Sequence, residues 1–366
     1  MPFLKNPAIR VQAGKEALGD PRNTRASLDP VIKSLHHITA ITSDAAEAIR
    51  FYTRILGLHL VKKTVNFDDP TAYHLYFGDE KGTPGTILTL FDWGRSINRG
   101  SLGAGVTHHL AFATENDETL LKWKTRLEQH KIPVEGPFNR KAGRSIYLLD
   151  PDGLIIEIAT PETDGYSDDE NPEPSLFSRR KTRPRVIGAK EAFDPGIQLL
   201  GLQHATAIAT APSHSTQFYK DTLGATLAPE TKRERRVSWQ WFLGQNRGSA
   251  NFLSFIESSS ANQGLVGAGT VHHIAFAIDD EEEQTEWRTR LLNRGVRVTA
   301  VLDRKYFKSI YFREPNGILL EIATIPPGFT VDEPPGHLGR SLTLPEWLEA
   351  RRPFIEASLK PIGPID

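Results

Sequence analysis

The feature that most constrains this chain is a segment that occurs twice. The two copies are VTHHLAFA at residues 106–113 and TVHHIAFA at residues 270–277. In each copy a glutamate lies in an apolar segment 48 residues after the second histidine, so that Glu157 follows His109 and Glu321 follows His273. Because no insertion or deletion separates the copies, the spacing predicts a duplicated scaffold in which a histidine and a carboxylate bind a metal ion.

A second pair of related segments precedes these two. It consists of LHHITAI at residues 35–41 and LQHATAI at residues 202–208, which place His37 and His204 at one shared position. The chain therefore contains four modules, at about residues 35–93, 106–160, 202–257 and 271–324. Each module has the pattern of a strand, a helix and further strands, so the sequence predicts an α+β fold of four βαβββ modules.

Helical periodicity and capping residues predict helices at residues 43–56, 118–130, 281–294 and 344–359. The turn sequences DPDG at residues 150–153 and EPNG at residues 314–317 predict hairpins. These hairpins place Glu157 and Glu321 on the last strand of their modules.

The length of 366 residues exceeds the usual size of one domain and predicts two cores of two modules each. The predicted segments are an N-terminal extension at 1–33, a first pair of modules at 34–160, a linker at 161–198, a second pair of modules at 199–325 and a C-terminal tail with a helix at 326–366. For the tail, packing as a cap and covering of an active-site mouth both stay open.

Composition bears on partners and on the compartment. The net charge of −1 indicates no basic surface suited to nucleic acid. The absence of cysteine excludes disulfides, thiol nucleophiles and thiolate metal sites, and the MPFLK start lacks the apolar core of a signal peptide. We therefore expect a cytoplasmic protein with no nucleic-acid or membrane partner; a homo-oligomer is compatible with the sequence.

Alternation along the strands predicts which way the histidines point. On one strand His109 and Ala111 share a face, while Leu110 faces the other side. The small alanine leaves room for a ligand beside the histidine. The same alternation turns His36 and His272 away from that face, unless a β-bulge re-aims them or they act as packing and hydrogen-bonding residues.

Two histidines and one carboxylate form the ligand set of non-haem Fe(II) oxygenases, and Zn, Mn or Ni can bind the same groups. A salt-bridged glutamate and a hydrogen-bonded core histidine are the plainer alternative for a single copy. The spacing alone leaves the partners open. Adjacent modules would join His37 and His109 with Glu157, and His204 and His273 with Glu321.

The sequence also resembles a known family. The resemblance rests on LHHIT at residues 35–39, TVHH at 270–273, DRKYFKSIY at 303–311 and LEIAT at 320–324. Together these segments resemble the ring-cleaving dioxygenases of the vicinal oxygen chelate superfamily, and more narrowly the branch that acts on hydroquinones. The resemblance covers about residues 35–360 and implies that the modules pair into two cup-shaped half-barrel domains, with the first and fourth modules sharing one cup.

The resemblance further implies a site and a reaction. Fe(II) would be held by His37, His273 and Glu321, with Mn, Zn or Ni as less favoured metals and no organic cofactor. The implied catalytic residues are Tyr311, His272 and His36, and the implied pocket residues are Thr39 and Arg304. The partners would be a small aromatic diol of the hydroquinone or catechol type and O2. Aromatic residues such as Tyr73, Phe77 and Phe91 are pocket candidates or sheet core.

One feature departs from the family pattern. The second and third modules also carry a complete ligand set, His109, Glu157 and His204, and Tyr147 precedes Glu157 as Tyr311 precedes Glu321. This set is either a second metal site or a duplicated remnant filled by hydrogen bonds or water.

Two other functions are compatible with the superfamily. A glyoxalase-type isomerase or lyase needs a fourth ligand, a glutamate, at positions where alignment places Leu88 and Leu253. A metal-free protein that sequesters small molecules needs no paired histidine and glutamate. Metal analysis separates the three functions. Stoichiometric iron supports the dioxygenase, zinc or nickel supports the isomerase, and no bound metal supports sequestration.

Overall fold

The computed structural model describes residues 30–140, 143–161, 174–175, 177, 196–227, 231–233, 236–242 and 252–363. The predicted N-terminal extension lies outside the described residues up to residue 29, as does most of the predicted linker. From Val31 onward the chain forms one unit.

Each module begins with the strand that carries its histidine. The first module contains β1 (Ser34–Thr42), α1 (Ala45–Arg50) continued by a π-helical turn (Phe51–Ile55), β2 (His59–Asn66), β3 (Asp69–Gly78) and β4 (Ile87–Asp92). The second contains β5 (Thr107–Ala113), α2 (Asp117–Gln129), β6 (Val134–Arg140), β7 (Gly143–Leu149) and β8 (Ile155–Ala159).

The third and fourth modules repeat this order. The third contains β9 (Gly201–Ala209), a 3-10 helix (Pro212–Ser215), a π-helical turn (Phe218–Thr222), β10 (Thr226–Leu227), β11 (Thr231–Arg233), β12 (Arg236–Phe242) and β13 (Phe252–Glu257). The fourth contains β14 (Val271–Ile278), α3 (Glu281–Asn293), β15 (Leu302–Asp303), β16 (Lys308–Arg313) and β17 (Leu319–Thr324). The predicted α+β fold of four modules is confirmed.

Side-chain caps fix the starts of the three module helices. Asp44, Asn116 and Asp280 each accept a hydrogen bond from the backbone N–H three residues later. The helices predicted at 118–130 and 281–294 accordingly agree with α2 and α3 to within one residue at each end.

The prediction of one continuous helix at residues 344–359 is wrong. The tail instead contains a 3-10 helix (Phe329–Val331) and two short helices, α4 (Glu346–Glu349) and α5 (Arg352–Ser358). Pro353 lies in the first turn of α5. Because proline has no N–H and its ring collides with the preceding turn, a helix can begin at this position but cannot run through it.

The strands form two sheets. The first has the order β15-β16-β17-β14-β1-β4-β3-β2, and the second has the order β10-β12-β13-β9-β5-β8-β7-β6 with β11 beside β12. The first and fourth modules thus share one sheet, and the second and third share the other. The sequence halves 34–160 and 199–325 each give one module to each sheet, so the halves and the sheets do not coincide.

Alternate residues of the strands enter different apolar clusters. Leu110 and Phe112 of β5 pack with Trp123 of α2 in the large core. On the other face, Ile155 packs with Tyr147 in a separate small cluster. The helices therefore cover one face of the sheet, and the histidine-bearing face is the opposite one, as the alternation predicts.

A β-bulge lies directly before each of the four repeated histidines. Pairing of β1 with β14 skips His36 and His272, and pairing of β5 with β9 skips His108 and Gln203. A bulge adds one unpaired residue and changes the direction of the side chains around it. The bulges thus re-aim the four residues that simple alternation turns away from the histidine face.

The C-terminal tail is anchored to the first sheet by a buried ion pair. Nζ of Lys62, which is fully buried in β2, lies 2.6 Å from Oδ1 of Asp332 and 2.5 Å from Oε2 of Glu333. Such a lysine is stable in the interior only while its partners remain, so the tail is part of the fold. None of the described helices is long and apolar enough to cross a membrane.

The buried Asp150 joins the first and second modules and makes the stability of the fold pH-dependent. It accepts a hydrogen bond from the Tyr52 hydroxyl at 3.0 Å, and burial, followed by repulsion from Asp152, raises the pKa of its carboxyl from 3.8 to about 7. A raised pKa means that the folded state binds the proton more tightly than the unfolded state.

We therefore expect the stabilisation that protonated Asp150 provides to be complete below its unfolded pKa and to be lost as the pH rises through about 7. Relative to Asp150→Asn, the free energy of unfolding of the wild type should fall between about pH 4 and about pH 7, measured by urea denaturation. The exposed Glu115→Gln is the control. A constant difference between wild type and Asp150→Asn would contradict the prediction.

Candidate metal centre

His37, His273 and Glu321 converge in the first sheet. Nε2 of His37 lies 3.4 Å from Oε2 of Glu321, Nε2 of His273 lies 2.9 Å from the same oxygen, and the two Nε2 atoms are 3.3 Å apart. All three side chains are buried, with exposed fractions of 4% or less. Their ligand atoms form a group able to hold a metal ion.

Strand register explains the convergence of the three side chains. Ala275 of β14 pairs with His37 of β1 on one side and with Glu321 of β17 on the other, and His273 lies two residues away on the same strand. Because residues two apart share a face, all three ligands surround the small Ala275 side chain. The methyl group leaves the space above it open for an ion.

The bulge residues fix the direction of the two imidazoles. Nδ1 of His36 lies 2.9 Å from Nδ1 of His37, and Nδ1 of His272 lies 2.7 Å from Nδ1 of His273. Burial, followed by the neighbouring imidazole, lowers the pKa of His36 and of His272 to about 3, so both rings are neutral at pH 7. When the neutral ring accepts at Nδ1, its neighbour carries the proton at Nδ1 and keeps the Nε2 lone pair for a metal.

The carboxylate is oriented in the same way. The Ser309 hydroxyl donates a hydrogen bond to Oε1 of Glu321, which leaves Oε2 facing the imidazoles. Burial raises the pKa of the Glu321 carboxyl, but the nearby His37 and His273 lower it more, so the pKa stays well below 4.5. Glu321 is therefore an anionic ligand at neutral pH.

These atoms fit a divalent transition metal. Among the described residues none donates a hydrogen bond of normal geometry to Oε2 of Glu321, although the atom is fully buried. Metal bonds of about 2.1 Å separate neighbouring octahedral ligands by about 3.0 Å and tetrahedral ligands by about 3.4 Å. The observed spacings of 2.9, 3.3 and 3.4 Å match such a ligand face.

A small cavity of about 30 Å³ lies beside the triad. It is lined by His37, Asn66, Phe67, Asp68, His74, Tyr76, Phe91, His273, Arg304, Phe307 and Tyr311. This volume holds one or two water molecules and is too small for an aromatic ring. A ring-sized ligand therefore requires movement of the wall.

Arg304 and Tyr311 form the charged side of this cavity. The Arg304 guanidinium lies 5.4 Å from the centre of the Tyr311 ring and forms an ion pair with Asp68 at 3.0 Å. Tyr311 pairs with Glu321 across adjacent strands, which places its ring on the metal face. Burial and the Glu321 charge raise the pKa of the Tyr311 phenol, so it remains a proton donor at neutral pH.

The structure distributes the other predicted pocket residues differently. Thr39 does not line the cavity, and its hydroxyl contacts that of Thr89 at 2.8 Å. Tyr73 and Phe77 belong to the large core, and Phe91 lines the cavity.

Sequence reasoning missed His74, Tyr76 and Phe307. The His74 ring contacts the Thr89 hydroxyl at 2.8 Å and the Tyr76 hydroxyl at 2.9 Å, while Phe307 packs 5.2 Å from the His37 ring. Alternation within β3 places His74 and Tyr76 on one face, and this pattern in the sequence could have identified them. Phe307 precedes β16 in a loop and gives no such signal.

The position of the missing fourth ligand is one residue from the predicted one. Leu88 and Leu253 are fully buried in the helix-side core. The residue of β4 that corresponds to Glu321 is Thr89, which pairs with Thr39 two residues beyond His37, and Ser254 is its counterpart in the other sheet. A shift of one residue moves a side chain to the opposite face, so the prediction named the wrong face but the absence of a carboxylate holds.

The second predicted set also converges, in the second sheet. The ligand atoms of His109, Glu157 and His204 lie within 4.8 Å of one another, and all three side chains are buried. Ala111 separates them as Ala275 does in the first sheet, because it pairs with both His204 and Glu157.

Comparison with known proteins agrees with this architecture. The model of the Glyoxalase/Bleomycin resistance protein/Dioxygenase superfamily matches residues 34–158 and 201–322. These two stretches contain both triads and nearly all of the four modules.

Several proteins are similar over nearly the whole chain. "Putative ring-cleaving dioxygenase MhqA" of Bacillus subtilis is 35% identical, covering 90% of this chain and 99% of that protein. The chlorohydroquinone/hydroquinone 1,2-dioxygenase of Sphingobium indicum is 30% identical, covering 87% and 93%. A crystal structure from Bacillus subtilis, named "putative dioxygenase", is 34% identical with a TM-score of 0.75 and covers 90% of this chain and 97% of its own.

The role of the bulge histidine can be tested at His36. His36→Leu removes the partner of His37 Nδ1, and we expect the affinity of the first triad for Co(II) to fall about 10–100-fold. His36→Gln should retain the affinity, because a glutamine oxygen accepts the same hydrogen bond, as Gln203 does beside His204. Anaerobic Co(II) titration followed by visible absorption measures both.

A Glu157→Gln background removes the carboxylate of the other triad, so that the titration reports the first triad alone. Equal affinities for His36→Leu and the parent would show that His36 does not orient the ligand.

Proposed function

This chain belongs to the Glyoxalase/Bleomycin resistance protein/Dioxygenase superfamily, and we propose that it is an Fe(II)-dependent dioxygenase that opens the ring of a hydroquinone or catechol with O2. The observation that carries the proposal is the three-ligand group His37, His273 and Glu321. Two imidazoles and one carboxylate on one side of an ion leave the opposite side open for substrate and O2. The ring-cleaving names of relatives that are 30–35% identical support the same reaction class.

The residues around the triad orient the substrate and provide the charge and the proton that the reaction needs. Fe(II), when bound at the triad, supplies the open coordination positions and the redox chemistry with O2. The Arg304 guanidinium beside the cavity favours the ionised oxygen of a phenolic substrate. The neutral Tyr311 phenol provides a proton on the same side of the triad.

Aromatic side chains shape the cavity for a flat ring. Phe91 and Phe307 line it, and His74 and Tyr76 hold each other and the wall through their hydrogen bond. Such surfaces exclude water and pack against an aromatic substrate. The preference for an aromatic diol follows from these walls together with Arg304.

Substrate entry involves the turn between β2 and β3. Phe67 in this turn contacts Trp347 of the tail with ring centres 5.7 Å apart, and Asp68 holds Arg304. Because the cavity is smaller than a ring, we infer that this turn and the tail segment behind it move when substrate binds. On this proposal the tail, besides packing on the first sheet, would border the path by which substrate enters.

The alternative functions fit less well. A glyoxalase-type isomerase needs a fourth carboxylate, and the corresponding residues in the two sheets are Thr89 and Ser254. Metal-free sequestration leaves a fully buried Glu321 oxygen without a cation. Both observations favour the three-ligand oxygenase.

The first triad's role predicts the effect of removing its carboxylate. After anaerobic reconstitution with Fe(II), Glu321→Gln should lose O2 uptake with a panel of substituted hydroquinones and catechols, because the neutral amide is a weak ligand. Glu157→Gln should retain turnover, since its triad lies in the other sheet. Equal loss in both variants would contradict the assignment, and no uptake by the wild type across the panel would contradict the proposed function.

Tyr311→Phe tests the proton donor. We expect kcat to fall about 10²–10⁴-fold while KM for the diol and the iron content change little, because the ring remains and only the hydroxyl is lost. Steady-state O2 uptake and metal analysis measure these quantities. An unchanged kcat would exclude Tyr311 from proton transfer, and a loss of iron would assign it a structural role.

A further inference from the structure

A second buried ligand set lies in the second sheet, outside the proposed active site. Nε2 of His109 lies 2.9 Å from Oε2 of Glu157, and Nε2 of His204 lies 3.3 Å from the same oxygen. The Ser145 hydroxyl donates to Oε1 of Glu157, as Ser309 does to Glu321. Oε2 is therefore the atom turned toward both imidazoles.

Hydrogen-bond polarity fixes the tautomer of His204. The side-chain amide of Gln203 donates from Nε2 to the backbone carbonyl of Thr160 at 2.9 Å. A carbonyl only accepts, so this contact identifies which end of the Gln203 amide is nitrogen. Its oxygen then lies 3.0 Å from Nδ1 of His204 and accepts a hydrogen bond from the N–H at that position.

When His204 carries a single proton, that proton lies on Nδ1 and Nε2 keeps a lone pair. This lone pair points at Oε2 of Glu157, an anionic oxygen in a side chain that is 2% exposed. Two electron-rich atoms at 3.3 Å in the interior repel each other unless a cation lies between them. Phe252 stacks on the His204 ring at 4.5 Å and holds it in this orientation.

His109, the third residue of the set, is also oriented through its Nδ1 atom. Nδ1 of His108, the bulge residue of β5, lies 2.8 Å from Nδ1 of His109. The Nε2 atom of His109 is thereby directed to the point that His204 and Glu157 also face. We propose that His109, His204 and Glu157 bind a second divalent transition-metal ion, so that each chain holds two.

The wall around this second site differs from that of the first. The Tyr147 and Arg140 pair is retained, with the guanidinium 5.7 Å from the ring centre. By strand register, Ser238 and Gln240 occupy the positions of His74 and Tyr76. The ligand set is thus repeated while the His74 and Tyr76 pair of the first cavity is not, so the second ion would lie in surroundings different from those of the proposed active site.

The test counts metal ions on the full chain. Protein stripped by a chelator is equilibrated anaerobically with Co(II), and bound cobalt per chain is measured by elemental analysis after dialysis. We expect two ions in the wild type, one in Glu157→Gln, one in Glu321→Gln and none in the double variant. One ion in the wild type that survives Glu157→Gln and disappears in Glu321→Gln would overturn the proposal.

A second pair of variants guards against misfolding. Gln203→Leu removes the acceptor that fixes His204 and should weaken the second Co(II) about 10–100-fold, whereas Gln203→His, which copies the first site, should retain it. Circular dichroism without metal verifies the fold of each variant. Equal cobalt binding by Gln203→Leu and wild type would overturn the polarity argument. Because the count requires no turnover, its failure is distinguishable from failure of the dioxygenase assignment.

Discussion

The constraint on which both ligand sets depend is the hydrogen bond at Nδ1 of each histidine. An imidazole offers a metal one lone pair only when its other nitrogen carries the proton, and a buried partner decides which nitrogen that is. The β-bulges at His36, His108, Gln203 and His272 bring such a partner beside every ligand histidine. In regular strands these partners would point to the helix face. The β-bulges therefore allow each partner to hydrogen-bond the neighbouring histidine and orient it.

The pairing of modules is the second condition. The first and fourth modules join through β1 and β14, and the inner pair joins through β5 and β9, so each sheet has an antiparallel pair of histidine strands at its centre. An alanine, Ala275 or Ala111, lies between the three ligands in each sheet. A larger side chain there would fill the space that the ion needs.

The two sheets share their ligand geometry and differ in what surrounds it. Around the first triad, His74, Phe91, Arg304 and Phe307 line a cavity, and Phe67, which also lines it, contacts Trp347 of the tail. Around the second triad the register replaces the His74 and Tyr76 positions with Ser238 and Gln240. The two candidate ligand sets thus depend on three strands and their bulges, whereas the surroundings of the first set depend on hairpins and loops.

The sequence by itself determined the four modules and the starts of α2 and α3, and it identified the six residues of the two candidate ligand sets, because helix caps and strand alternation are local and the repeat fixes the spacing. Spacing alone could not decide which modules pair, since His37 and His273 are 236 residues apart. The resemblance implied that the first and fourth modules share one cup, and the register of β1 with β14 confirms that they share one sheet. The sequence also misplaced the fourth-ligand position by one residue and left the roles of His36 and His272 open. Only the tertiary structure shows the bulges and the register, because both are properties of two paired strands and not of either sequence alone.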